Sequence, residues 1–139
     1  MNDDDERHVL QALGQLMEES RQLILRGSEA RLRPSQFRVI GSVPTDRGIT
    51  ITELAERVGM TKQGIGQFVT QLAQNGFLTT STHPDDRRVR VVRRTPLADE
   101  AIHHLAQMLR GLEHEWAERV GRRRYREFRA VLDELARMS

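Results

Sequence analysis

Thr50 to Gly76 reads TITELAERVGMTKQGIGQFVTQLAQNG. Two short helices and the turn between them are written into this stretch. Thr50 stands three residues before Glu53, the spacing of a capping box, in which each side chain satisfies a free backbone N–H of the other residue. Leu54, Ala55 and Val58 form the inner face of the first helix. Gly59 fits the left-handed position that ends a helix, and Thr61 offers a hydroxyl to cap the next, which runs to about Asn75. The apolar face of that second helix is Ile65, Phe68, Val69 and Leu72, and Gly76 ends it. The pattern predicts a helix-turn-helix, whose second helix enters the major groove of duplex DNA with its N-terminal residues at base edges.

On that geometry the base-facing candidates are Thr61, Lys62, Gln63 and, one turn on, Gln67. Glutamine can address adenine bidentately, lysine can reach guanine or phosphate, and threonine can bond a phosphate or touch a thymine methyl. The start of the helix itself attracts phosphate. Two ordinary surface helices would explain the glycine and the caps. They would not explain the basic segment directly after them.

Beyond Gly76 the periodicity changes from helical to alternating. Residues 77–82 (FLTTST) and 89–93 (VRVVR) are strand-like and flank the turn-forming run HPDDRR at 83–88. Two strands around a basic turn predict a hairpin, with Asp86, Arg87 and Arg88 at its tip as a candidate wing. Guanidinium groups at a hairpin tip can enter a narrow minor groove, and a neighbouring carboxylate can hold one of them as a bidentate pair.

The flanks read as helices. Val9, Leu13, Leu16, Ser20 and Leu23 recur at helical spacing over residues 6–26, with Leu10, Met17 and Ile24 widening the stripe. Pro34 suits the first turn of a second helix that buries Phe37, Val39, Ile40 and Val43 and ends before Pro44. Beyond the hairpin, Thr95 and Pro96 open a long helix, with Asp99 and Glu100 complementing its dipole. One side of it carries Ala98, Ala101, Ile102, Leu105, Leu109, Leu112 and Trp116. After Gly121 a last helix presents Tyr125, Phe128, Leu132 and Leu135. The fold class expected is mainly α: a winged helix-turn-helix with a two-stranded hairpin wing. Residues 1–139 form one unit, with the winged helix-turn-helix at 31–95 and helical dimerisation arms at 1–30 and 96–139.

The apolar stripes exceed what one small winged helix can bury, so a second copy of the chain is expected to complete the core. Trp116 is read as part of that dimer core. Charge supports the same organisation. The net charge of +2 hides a division in which residues 1–30 sum to −4, residues 31–59 to +2, residues 60–95 to +4, and residues 96–139 to zero. The positive field is concentrated in the middle of the chain, as an anionic partner requires. The chain has no cysteine, which removes disulfides, thiolate metal sites and thiol redox sensing. No apolar run approaches the roughly 18 to 20 residues of a membrane span, and the acidic MNDDDE start is the opposite of a secretory leader. A cytoplasmic protein is expected.

Residues 50–63 (TITELAERVGMTKQ) followed by 84–92 (PDDRRVRVV) resemble the MarR family of winged-helix transcription regulators. The resemblance implies a homodimer whose N- and C-terminal helices interlock and present two recognition helices to a palindromic site. It implies a repressor released by a small anionic or phenolic ligand. The family's recognition-helix positions fall on Thr61, Lys62, Gln63 and Gln67, and its Asp-x-Arg wing signature falls on Asp86 and Arg88 with Arg87 between. Gly64 and Gly66 depart from the family pattern. Two glycines inside a helix cost about 1 kcal/mol each relative to alanine.

A cavity between the helical arms and the winged core would be the natural effector site, and Arg31, Arg33 and Arg38 suggest an anionic or aromatic ligand. Other constellations carry less. Gly64-Ile-Gly66 lacks the third glycine and the preceding strand of a dinucleotide fingerprint. Ser81, His83 and Asp85 are neighbours in a hairpin with no oxyanion site. His103, His104 and His114 on the long helix, even with His8, lack carboxylate or cysteine partners at ligand spacing. No cofactor, metal or catalytic centre is expected. Two rival readings remain: the same fold acting through a protein partner with weak DNA affinity, and an enzyme, for which no convergent acid, base or ligand spacing is found.

Overall fold

The computed structural model describes residues 7–27 and 32–139. Six helices and three strands follow in order: α1 Val9–Gly27, α2 Pro34–Ser42, β1 Ile49–Thr50, α3 Ile51–Val58, α4 Lys62–Gln74, β2 Leu78–Thr82, β3 Arg90–Arg94, α5 Pro96–Val120 and α6 Arg122–Arg137. The described residues fall into two compact units, divided after Leu105.

In the first unit the helix boundaries follow the side chains that cap them. Thr50 Oγ1 accepts the Glu53 N–H at 3.2 Å, and Thr61 Oγ1 accepts the Gly64 N–H at 3.1 Å. Thr95 Oγ1 accepts from Ala98 and donates to the Gly76 carbonyl at 2.7 Å, tying the start of α5 to the end of α4. Gly59 ends α3 at φ 75°, ψ 37°, a left-handed conformation that costs a residue with a Cβ. The capping box expected at Thr50 is only half made. The Glu53 carboxylate lies 3.8 Å from Arg47 Nη1, an exposed pair, and Thr50 itself belongs to a strand.

The hairpin has the two strands expected, and this further strand joins it. The sheet has three antiparallel strands in the order β1-β3-β2. β2 pairs β3 from Leu78↔Arg94 to Thr82↔Arg90, and β1 adds Ile49↔Val92 and Thr50↔Val91 on the far edge. Gly48 leads into it with its bare Cα against Val91, where a Cβ would collide with that side chain.

Between sheet and helices lies the core. Ile40, Ile49, Leu54, Ile65, Leu72, Leu78 and Val92 are fully buried, each contributing roughly 1.5–3 kcal/mol by leaving water. Phe68, expected in this core, is only half-buried. Gln36 is the one buried polar residue among those described, and its Oε1 accepts the Arg33 N–H at 2.8 Å at the start of α2. α1 begins three residues later than read from its periodicity, residues 1–6 lying outside the described residues. Only Ile24 of its apolar stripe is buried, whereas Val9, Leu10 and Met17 are about 70% exposed (71%, 73% and 69%).

In the second unit Gly121, at φ 94°, separates α5 from α6. Glu113 Oε1 accepts from the Tyr125 hydroxyl and from Arg129 Nη1, both at 2.8 Å. α6 buries none of its residues, and Phe128, Val131, Leu132, Leu135 and Met138 are all exposed. Burial, then the hydrogen bond to Glu113 and its charge, push the Tyr125 hydroxyl up from 10.0 to about 12 against the opposing charge of Arg129. Tyr125 is the only tyrosine, so tyrosinate absorbance is expected to titrate near 12. A raised folded pKa means the folded state holds the proton longer. Its stabilisation is full below pH 10 and is lost as pH climbs through about 12. Tyr125→Phe should remove that alkaline contribution, and a midpoint near 10 in the native protein would contradict the Glu113 contact.

Candidate nucleic-acid interface

α4 divides cleanly into two faces. Ile65, Val69 and Leu72 point into the core, while Lys62, Gln63, Gln67, Thr70, Gln71 and Gln74 are turned outward or partly covered. The outward stripe holds no acid, and the first turn of α4 has none either. A cation at Lys62 opposes the positive end of its own helix dipole. Such a residue weakens the free helix and favours an anion bound at the helix N-terminus.

The hairpin brings more positive charge to the same side. A groove of about 520 Å³ runs between the starts of α3 and α4 and the outgoing limb of the hairpin, with Thr52, Lys62, Gln63 and Gly66 on one side and Arg88 and Arg90 on the other. A second, of about 390 Å³, continues along α4 past Gln67, Thr70 and Gln74, sharing Gln63, Gly66 and Arg90 with the first. Three cations and no carboxylate line the first groove. Among the described residues only Arg88 of these is paired, to Asp86 at the hairpin tip, and an anionic partner is what such a surface favours.

Asp86 organises the hairpin tip. One oxygen, Oδ1, accepts both the Arg88 backbone N–H at 3.0 Å and Arg88 Nε at 3.3 Å. The pair is thus not the bidentate one expected from the sequence: a single carboxylate oxygen accepts both bonds. The Nη atoms stay free of Asp86, and the Arg88 side chain is 92% exposed. His83 Nδ1 accepts the Asp85 N–H at 3.1 Å, and the Val89 carbonyl accepts the His83 N–H at 2.8 Å, closing the turn. Arg87 is exposed beside them.

The structure therefore brings Lys62, Gln63, Gln67 and Arg88 onto grooves along one surface. Thr61 is exposed next to them, its hydroxyl accepting from Gly64 and keeping its proton to donate. Sequence reading missed Arg90, which lines both grooves, and the outer residues Thr52, Thr70 and Gln74. The +4 charge of residues 60–95 contained the signal for Arg90, but its side of the sheet was set only once β3 was paired. Of the three arginines named for an effector, the two described, Arg33 and Arg38, line neither groove. Arg31 lies outside the described residues, Arg33 is exposed, and Arg38 Nη2 donates to the Val58 carbonyl at 2.7 Å, capping the end of α3. His104 Nε2 lies 3.3 Å from the Gly27 carbonyl, and His114 lies 4.0 Å from Glu118. Among the described residues no helix is long and apolar enough to cross a membrane.

Residues 32–89, from the start of α2 through the hairpin tip, match the model of the MarR family. Over this central segment the chain is similar to the MarR family. Solved structures agree on the fold. The structure of MarR superposes with a TM-score of 0.78 at 21% identity, covering 94% of this chain and 97% of that one. The PcaV transcriptional regulator from Streptomyces coelicolor, in complex with its natural ligand, gives 0.67 at 18% identity over 93% and 92%. The transcriptional repressor CouR, bound to a 23-mer DNA duplex, gives 0.73 at 20% identity over 93% and 92%. No curated protein matches the chain. The chain has the winged-helix fold of MarR-family transcription regulators, mainly helical with a small antiparallel sheet.

Proposed function

We propose that this chain is a MarR-family regulator that binds duplex DNA in a sequence-specific manner as a homodimer and acts as a ligand-responsive repressor on a palindromic site. The observation that carries the reading is the acid-free groove in which the outer face of α4 meets Arg88 and Arg90 of the hairpin. In the proposal α4 lies in the major groove, with Lys62 and Thr61 at phosphate and Gln63 and Gln67 at base edges. Arg88, steered by Asp86, reaches the backbone or minor groove with Arg87 beside it. Residues 31–95 are the DNA-binding region in this reading, and the flanking segments 1–30 and 96–139 form the dimer. The exposed apolar residues of α1 and α6 support a second copy, because a monomer would leave them in water.

Support for a DNA partner comes from the like-folded CouR, whose structure holds a duplex, and for an effector from PcaV, whose structure holds its ligand. A small anionic or aromatic effector is proposed here with Arg31, Arg33 and Arg38 as its cationic contacts, Arg38 exchanging the Val58 carbonyl for the ligand. The protein is proposed to work in the cytoplasm without catalytic activity.

The decisive experiment is selection of bound sequences from random duplexes with purified protein, alongside light scattering. A palindromic consensus and a mass of twice 16.0 kDa are expected. Recovery of no preferred sequence would refute site-specific binding, and a monomer mass at micromolar concentration would refute the dimer.

A further inference from the structure

Gly66 sits in the middle of α4 without any reason inside the fold. Its backbone is not in a positive-φ conformation, and a Cβ built on it would meet nothing within 4 Å. Alanine would therefore fit, and alanine is the better helix former. Gly64, two residues earlier, is different. A Cβ there would come within 3.1 Å of Thr61 Oγ1 and 3.3 Å of Met60 Cε, so one of these neighbours would have to give by a few tenths of an ångström. Gly64 has close neighbours within the fold. Gly66 has none.

Position explains it instead. Gly66 is one of three residues shared by the two grooves, with Gln63 and Arg90. It lies one turn after Gln63 and next to Gln67, the two side chains assigned to base edges. The neighbouring Thr70 hydroxyl donates to the Gly66 carbonyl at 2.9 Å, along the helix. At Gly66 no side chain stands between the backbone of α4 and the two grooves, which it lines beside Gln63 and Arg90.

We propose that Gly66 is a DNA-contact position, where the bare Cα lets a base-pair edge of the major groove come into van der Waals contact with the backbone of α4. The inference rests on the reading of α4 as the base-facing element. A methyl at this point would hold the helix off the floor of the groove and lengthen the hydrogen bonds from Gln63 and Gln67 together, although it touches neither. Hydrogen bonds to bases tolerate little lengthening, so the loss falls on the preferred sequence more than on random DNA.

Gly66→Ala is compared with Gly41→Ala, a helix glycine of α2 that also has open space around its Cβ position and lies on neither groove. Each purified variant is measured for Tm and for affinity to the duplex selected by the parent protein and to a random duplex. Both variants are expected to melt at or above the parent. Gly66→Ala should lose about tenfold or more on the selected duplex and much less on the random one, while Gly41→Ala binds both like the parent. If Gly66→Ala binds the selected duplex as tightly as the parent, Gly66 is no contact and the reading of α4 survives. If the parent prefers no sequence, that reading and this one fall together. A drop in Tm for Gly66→Ala would show that the glycine serves the fold and would overturn the proposal as well.

Discussion

Leu54→Ala is expected to lower stability by about 2–5 kcal/mol, the largest effect of any single substitution considered. Leu54 is fully buried on the inner face of α3, and α3 packs against both α2 and α4. Truncation removes its transfer free energy and leaves a cavity that the surrounding helices can close only by shifting. Domains of this kind hold roughly 5–15 kcal/mol in all, so the variant should unfold at markedly lower denaturant with the slope of the transition unchanged. DNA binding should fail in step with unfolding, because α3 is what holds α4 out from the core. A loss under about 1 kcal/mol would mean that Leu54 is not enclosed as described.

Features that depend on near neighbours along the chain were legible in the sequence. Thr50, Thr61 and Thr95 cap helices because a hydroxyl three residues ahead of a free N–H needs no distant partner. Gly59 ends α3 in the left-handed conformation for the same local reason. Asp86 and Arg88 are two positions apart, and their contact was expected in kind if not in geometry.

Features decided by distant pairing were not legible. β1 is two residues long and runs directly into α3, so Ile49 and Thr50 read as the approach to a helix until Val91 and Val92 pair with them. Arg38 looked like a free cation, since Val58, twenty residues on, gives no sign in the sequence that its carbonyl needs a donor. Arg90 joins the candidate interface only because the sheet lays β3 beside α4. The stripes of α1 and α6 were read correctly as apolar. Their exposure in a single chain is what the proposed second copy would remove.

Separating the hairpin from α4 gives the sharpest test of the proposed DNA interface. Gln63→Ala is expected to cost about 1–3 kcal/mol on the selected duplex and much less on a random one, since a base-edge contact exists only where the base is right. Arg88→Ala should instead weaken both duplexes alike and lower the salt slope by about one unit for each phosphate it no longer neutralises. The reason is in the geometry: Arg88 is almost wholly exposed and held by Asp86 through Nε alone, leaving its Nη atoms to a phosphate. Asp86→Ala removes the anchor without removing the positive charge, so it should reproduce Arg88→Ala in milder form. Stability should change little in all three, because exposed pairs of this type contribute about 0–1 kcal/mol. Salt titrations of each variant on both duplexes distinguish the two roles. Should Arg88→Ala leave both affinities and the slope as they were, the hairpin does not touch DNA and the docking geometry fails. Should Gln63→Ala weaken the random duplex as much as the selected one, α4 contacts the DNA backbone and reads no bases through this residue.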